Sequence, residues 1–233
     1  MYNFPPLIEQ ASKNNKFDLN TFLNCGLPWL KLDLQVPQFS QQVIDHAVET
    51  MQDWRSQWGL IDPNYQVKEW NGTMMFGPAD WSNWLELIKD NEFANDEDHL
   101  CMIHRKDVEF DWRIPKDNAI RQWINSWLDD SNINIVNTYV LPPGGYLFPH
   151  IDPCEHQRAL NKIYIAVKWP EGAEFGFLNF GNIPMKTGDA YIINNYRYPH
   201  WVLNRSNENR VVLDIGCNLH SIEPLIKQSF LKG

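Results

Sequence analysis

Cysteine is scarce and unpatterned in this chain. Cys25, Cys101, Cys154 and Cys217 are spread over 233 residues with no Cys-x-x-Cys, which argues against a structural zinc site or a disulfide framework. Positive charge is also in deficit. Twenty Lys and Arg against 29 Asp and Glu give a formal net charge of −9, the wrong sign for broad binding to nucleic acid or an anionic membrane. No run approaches the ~20 apolar residues of a membrane span. The opening Met-Tyr-Asn-Phe-Pro-Pro lacks the basic-then-apolar layout of a signal peptide. These absences lead us to expect a reduced, cytoplasmic protein with no nucleic-acid or membrane partner. Repeats, low-complexity tracts and Gly/Ser linkers are missing too, so residues 1–233 read as a single domain. What is plentiful is apolar material: 43% hydrophobic and 21% charged residues mark a globular chain, and eleven tryptophans suggest a large aromatic core.

The two halves differ in grammar. Residues 1–130 read as a helix-rich flanking region. Val43, Ile44, Ala47, Val48, Met51 and Trp54 fall at helical spacing over 38–57, behind Ser40 as a cap. Trp81, Trp84, Leu85, Leu87 and Ile88 suggest a second helix over 79–90, with Asp80 as its cap. Pro115 opens a third, carrying Ile120, Trp123, Ile124, Trp127 and Leu128. Residues 30–34 and 65–76 look extended. From about 131 to 220 the pattern becomes short β-like runs at 133–141, 147–151, 162–169, 174–180, 190–193, 201–203 and 210–217, broken by Pro/Gly/Asn turns. The expected fold is mainly β with α: a double-stranded β-helix core of the jelly-roll or cupin-like kind, with the N-terminal helices packed against it. Residues 224–231 suggest a C-terminal helix.

Of seven histidines, His46, His99, His104 and His220 have neighbours that call for no special role. His150 and His200 differ. In His150-Ile151-Asp152 two potential ligands stand at i and i+2, on one face if the run is extended. His200 begins another β-like run. Two imidazoles and one carboxylate with open positions form the facial triad of non-haem Fe(II) oxygenases, so His150, Asp152 and His200 are the candidate catalytic metal ligands. Ten residues after His200 comes Arg210. A guanidinium aimed inward from a strand needs an anion, and its fork suits a carboxylate. One reading gives it the far end of an iron-chelating dicarboxylic acid; the other pairs it with Glu208 or Asp214.

These residues resemble the Fe(II)/2-oxoglutarate-dependent dioxygenases, and within them the aspartyl/asparaginyl β-hydroxylase family, which includes bacterial free-proline hydroxylases. The resemblance covers about 132–217. It rests on Leu141-Pro142-Pro143-Gly144-Gly145, Pro149-His150-Ile151-Asp152, Gly188-Asp189-Ala190, and His200-Trp201-Val202-Leu203-Asn204-Arg205-Ser206 followed by Arg210-Val211-Val212-Leu213. It implies that His150, Asp152 and His200 bind Fe(II), that Arg210 holds the distal carboxylate of 2-oxoglutarate, and that O2 is the oxidant. Animal aspartyl hydroxylases have glycine where Asp152 stands, so the substrate need not be shared. The family's Arg-x-His pair on the next strand reads here as Lys162-Ile163-Tyr164. Tyr164, or Thr138 from the preceding strand, can offer its hydroxyl to oxoglutarate; either is equally an ordinary sheet residue.

The implied reaction is hydroxylation of an unactivated carbon in an amino acid, or in an aspartyl, asparaginyl or prolyl residue of a peptide. Oxoglutarate would leave as succinate and CO2. Glu155, His156 and Arg158 after the His-x-Asp, and Tyr196 and Arg197 before His200, sit where a substrate would meet the rim. Arg158 and Arg197 are candidates for its carboxylate, and Trp201 for packing beside the site. The competing reading is a non-catalytic cupin-like protein that binds a metal or small molecule. The pattern says nothing of oligomeric state.

Overall fold

The computed structural model describes residues 19, 27–49, 52–53, 67–68, 71–79, 109–151, 162–195 and 197–232. The strands are β1 Trp29–Lys31, β2 Gln52–Asp53, β3 Val67–Lys68, β4 Asn71–Pro78, β5 Phe110–Trp112, β6 Ile133–Leu141, β7 Tyr146–His150, β8 Lys162–Lys168, β9 Ala173–Phe177, β10 Gly181–Asn182, β11 Ala190–Ile193, β12 His200–Asn204 and β13 Arg210–Cys217. Helices α1 Gln41–Glu49, α2 Ala119–Asn125 and α3 Glu223–Lys232 accompany them. The strands form two antiparallel sheets. One runs β1-β11-β8-β13-β6-β4-β2 with β5 on β4, the other β10-β9-β12-β7-β3. From β6 onward the chain passes back and forth between the sheets, placing β11-β8-β13-β6 opposite β10-β9-β12-β7. That is the double-stranded β-helix.

The central strands β6, β8, β11 and β13 of the large sheet are buried on both faces, so they read as nearly continuous apolar runs; β13 is buried at all eight positions. Alternation sorts these residues into two cores. Val211, Leu213 and Ile215 face the helices, with Ile163, Ile165, Val136, Ile120, Ile124 and Ile226. Val212, Tyr164, Ala166, Tyr191 and Leu141 face the small sheet, where they meet Phe175, Phe177, Val202 and Leu147. The candidate site lies in this second, inter-sheet core.

The first half of the chain differs from its sequence pattern in specific ways. The helix expected over 38–57 ends at Glu49, and Gln52–Asp53 pair with Gly72 and Asn71 as β2; ladder hydrogen bonds there override local helical periodicity. The extended run at 65–76 is two strands in different sheets, β3 on β7 and β4 on β6. Helix α2 begins at Ala119, behind Asn118 as its cap, and not at Pro115. The Asn118 side chain accepts from Ile120 N at 2.9 Å, while Pro115 sits in the preceding turn, its carbonyl accepting from Asn118 N. The helix expected at 79–90 lies outside the described residues save Ala79, which is not helical. No helix among the described residues is long and apolar enough to cross a membrane.

Asn204 closes the turn between β12 and β13. Its Nδ2 donates to the carbonyls of Leu141 (2.7 Å) and Glu208 (2.8 Å), and its Oδ1 accepts from Ser206 N (3.1 Å) and Oγ (2.6 Å). Its backbone accepts from Gly144 N and donates to Gly145 O. Asn204 is thus wholly buried with every polar atom paired, and it fastens the 142–145 turn to the strand that precedes Arg210. Asn204→Ala removes the donor to the buried Leu141 carbonyl and the acceptor that holds Ser206 in the turn. We predict a loss of about 3 kcal/mol, seen as a lower urea midpoint with an unchanged slope; a loss within error of zero would contradict this role.

Candidate active site

His150 ends β7 and His200 opens β12, and the two are register partners. Simple alternation along β7 does not bring His150 inward. Leu147 packs into the inter-sheet core, whereas Tyr146 and Phe148 stack on each other at 4.6 Å and Phe148 is exposed; His150 has their parity. The ladder corrects this: His200 pairs with His150 but Val202 pairs with Leu147, so β7 spends one residue more than β12. Such a bulge shifts the facing by one residue. Pro149 suits it, having no N–H to lose from the ladder.

The two imidazoles end with ring centroids 4.2 Å apart. His200 is buried against Phe175 (5.5 Å) and Phe177 (5.8 Å). Nδ1 of His150 lies 2.8 Å from the Phe148 carbonyl, and Nδ1 of His200 lies 3.4 Å from that of Tyr198. With Nδ1–H donating to those carbonyls, Nε2 carries the lone pair in both rings, the tautomer a metal ligand requires. Asp152 lies outside the described residues, and among the described residues there is no group of three metal-ligating side chains.

Arg210 opens β13 on the inner face and is only 2% exposed. Its Nη2 donates to the Tyr164 hydroxyl, and its Cζ lies 4.5 Å from the ring centroid of Trp169 and 5.6 Å from that of Tyr164. The carboxylates that the alternative reading assigned to it are engaged elsewhere: Glu208 with Lys168 at 2.8 Å, Asp214 with Lys162 at 3.1 Å. Among the described residues no carboxylate forms an ion pair with Arg210, and its Nε is buried without a hydrogen-bond partner. A buried, unpaired donor of this kind is costly, and a carboxylate ligand would satisfy it. Burial lowers the Arg210 pKa and raises that of Tyr164 to about 12, so the phenol keeps its proton. Tyr164 packs edge-on against Phe175 at 4.9 Å, which joins the arginine end of the site to the histidine end through one aromatic ring.

Not every sequence candidate reaches this face. Thr138 is paired with Leu213, on the helix-facing side of the large sheet, and its hydroxyl meets Met75 Sδ at 3.2 Å. It stands on the opposite side from Arg210 and Tyr164, because its neighbours Asn137 and Tyr139 take the inward positions. Trp201 follows His200 and so points outward, lying over Gly176, where a Cβ would sit 2.1 Å from its ring; it packs outside the barrel. Arg197 is exposed in the turn before β12. His220 is also exposed, far along the chain in the link to α3. Arg158, Glu155, His156, Tyr196, His99 and His104 lie outside the described residues, as does the side chain of His46. Trp169 was not singled out by the sequence; as the last residue of an apolar run it gives no sign of which face it takes.

No protein-family model and no curated protein sequence matches this chain. Among solved structures, it is similar to the viral collagen prolyl hydroxylase of Paramecium Bursaria Chlorella virus-1 in complex with 2OG (18% identity, 82% of this chain and 95% of that one, TM-score 0.40). It is also similar to a Pseudomonas putida prolyl-4-hydroxylase (11% identity, 91% and 99%, TM-score 0.40). A cupin-like protein of Thermotoga maritima matches over a smaller part (22% identity, 37% and 59%, TM-score 0.28).

Burial raises three acids of the large sheet to about 12: Cys217 from 9.0, and Tyr164 and Tyr191 from 10.0. Each holds its proton more tightly folded than unfolded. Their stabilisation is complete below the unfolded values and is lost as pH climbs to the folded ones. The unfolding free energy should therefore fall from about pH 9 to about pH 12, and Cys217→Ala should remove the part that begins near 9. A flat profile over that interval would contradict the assignment.

Proposed function

We propose that this chain is an Fe(II)- and 2-oxoglutarate-dependent dioxygenase that hydroxylates an unactivated carbon of an amino acid, or of an aspartyl, asparaginyl or prolyl residue in a peptide. One observation carries the reading: a buried arginine with an unpartnered Nε shares an inter-sheet core with two imidazoles whose ring centroids lie 4.2 Å apart. The donor set suits the group. His150 and His200, with Asp152 two residues along, would hold Fe(II) and leave positions for a chelating oxoacid and oxygen. Bound there, iron supplies the oxidising chemistry, with oxoglutarate converted to succinate and CO2.

The side chains bind and orient. Arg210 donates from Nε and a terminal nitrogen to the distal carboxylate of oxoglutarate, a charge-assisted fork in a dry site. Tyr164 accepts from Nη2 and retains its own proton, which it can donate to the same carboxylate. Phe175 and Phe177 shield the inner flank of His200, limiting water beside the reacting centre. No general base is required for this chemistry. Arg158 and Arg197 are our candidates for the substrate carboxylate, because they flank the two histidines in sequence.

Titrating the protein with Fe(II) and then oxoglutarate without oxygen should produce a visible charge-transfer band, absent in His200→Ala. Iron should also raise the melting temperature, since it binds only the native site. Arg210→Ala should weaken oxoglutarate by at least about tenfold, the size of a lost charge-assisted bond, while leaving iron affinity within about twofold. Equal loss of both ligands, or a His200→Ala protein that keeps the band, would contradict the proposal. A wild-type protein that binds both yet forms no succinate in air would favour the non-catalytic reading.

A further inference from the structure

Alternation along β8 does not predict where Trp169 points. Ala166 faces the inter-sheet core and Val167 the helix-side core, so Trp169 ought to turn toward the helices. The ladder shifts here. Val212 pairs with Ala166, but Val211 pairs with Lys168, so β8 carries an extra residue. Val211 belongs to the helix-side core, and its partner Lys168 takes that side. Trp169 then falls on the inner side, opposite Arg210, with its ring 4.5 Å from the guanidinium carbon.

The position is held from several directions. Trp169 N donates to Thr187 Oγ1 at 2.8 Å. Beyond it, the turn into β9 is tied to the turn between β12 and β13. Lys168 pairs with Glu208 at 2.8 Å, Arg205 N donates to Gly172 O at 2.9 Å, and Arg205 Nε donates to Glu174 at 3.0 Å. Gly172 has φ +92, and a Cβ there would crowd Ser206 N at 3.3 Å and the Arg205 backbone at 3.4 Å. Two turns from distant parts of the chain are thus clasped so that the indole of one lies over the arginine of the other.

We propose that Trp169 is a positioning residue for the carboxylate anchor. Its π face offsets part of the cost of burying the Arg210 charge. Together with the Tyr164 hydroxyl on Nη2, it fixes the guanidinium so that the Nε edge is presented to an incoming carboxylate. The inference rests on the reading of Arg210 as the oxoglutarate anchor. The ring acts through the arginine.

The test measures oxoglutarate binding by calorimetry on Fe(II)-loaded protein under anaerobic conditions, with Fe(II) affinity measured separately. The proteins are wild type, Trp169→Phe, Trp169→Leu and Arg210→Ala. Phenylalanine keeps a π face, so Trp169→Phe should stay within about threefold of wild type. Leucine keeps apolar bulk without one, and Trp169→Leu should bind oxoglutarate about tenfold more weakly. Its affinity should also fall more steeply with added salt than that of wild type, because the guanidinium is then wetted and screened. Fe(II) affinity should be unchanged in both tryptophan variants, which also reports that they fold. Equal losses for Phe and Leu would show mere packing and overturn the proposal, as would a Trp169→Leu protein that binds like wild type while Arg210→Ala does not. If neither wild type nor Arg210→Ala binds oxoglutarate, the anchor reading itself fails and this proposal falls with it.

Discussion

A guanidinium taken out of water without a carboxylate to receive it is the constraint around which this molecule is arranged. Left uncompensated, such burial costs several kcal/mol. Here the cost is offset in parts: a tyrosine hydroxyl on one terminal nitrogen, and two aromatic rings alongside. The carboxylates nearest along the strand are held by Lys168 and Lys162. The result is a cation kept in place with one edge unsatisfied. A structural ion pair would have closed that edge; a binding site leaves it for a ligand.

The two-sheet scaffold alone does not create this arrangement. Strict alternation would send His150 outward with Tyr146 and Phe148, and Trp169 toward the helices. In each case one extra residue in the strand reverses the facing, and both irregularities adjoin the site. Bulges interrupt the ladder and re-aim side chains. The regular parts of β8, β12 and β13 supply rigidity, and the irregular parts supply direction. Asn204 and the paired turns then tie these segments together, so that residues distant in sequence share one enclosed space.

Much of this was legible in the sequence where short-range rules govern it. β-like runs between Pro/Gly turns marked β6 to β9 and β11 to β13, most plainly in β6, β8, β11 and β13, where a sheet covered on both faces needs apolar side chains at nearly every position. The two-residue, exposed β10 falls on Gly181-Asn182, which reads as a turn. The β pattern placed His200 and Arg210 at the start of strands and Tyr164 within one, as found; Tyr164 was picked out as a site candidate only by the family resemblance. Thr138 and Trp201 went astray for a single reason: each is one residue from an inward position, and facing can be assigned only once the register is known. The split of 65–76 between two sheets, and the strand at 52–53, depend on partners far along the chain that local periodicity cannot report. Trp169 combined both obstacles, sitting just past a bulge and meeting a residue 41 positions later (210 − 169).

The most direct measurement of the central claim is the nitrogen-15 and proton resonance of the Arg210 Nε–H group, identified by its loss in Arg210→Lys. Buried and held as described, it should give a sharp signal protected from solvent exchange, and adding oxoglutarate to the iron-loaded, oxygen-free protein should shift it downfield as a carboxylate accepts its hydrogen bond. A signal that exchanges as fast as those of surface arginines, or one that stays fixed while oxoglutarate binds, would contradict the account.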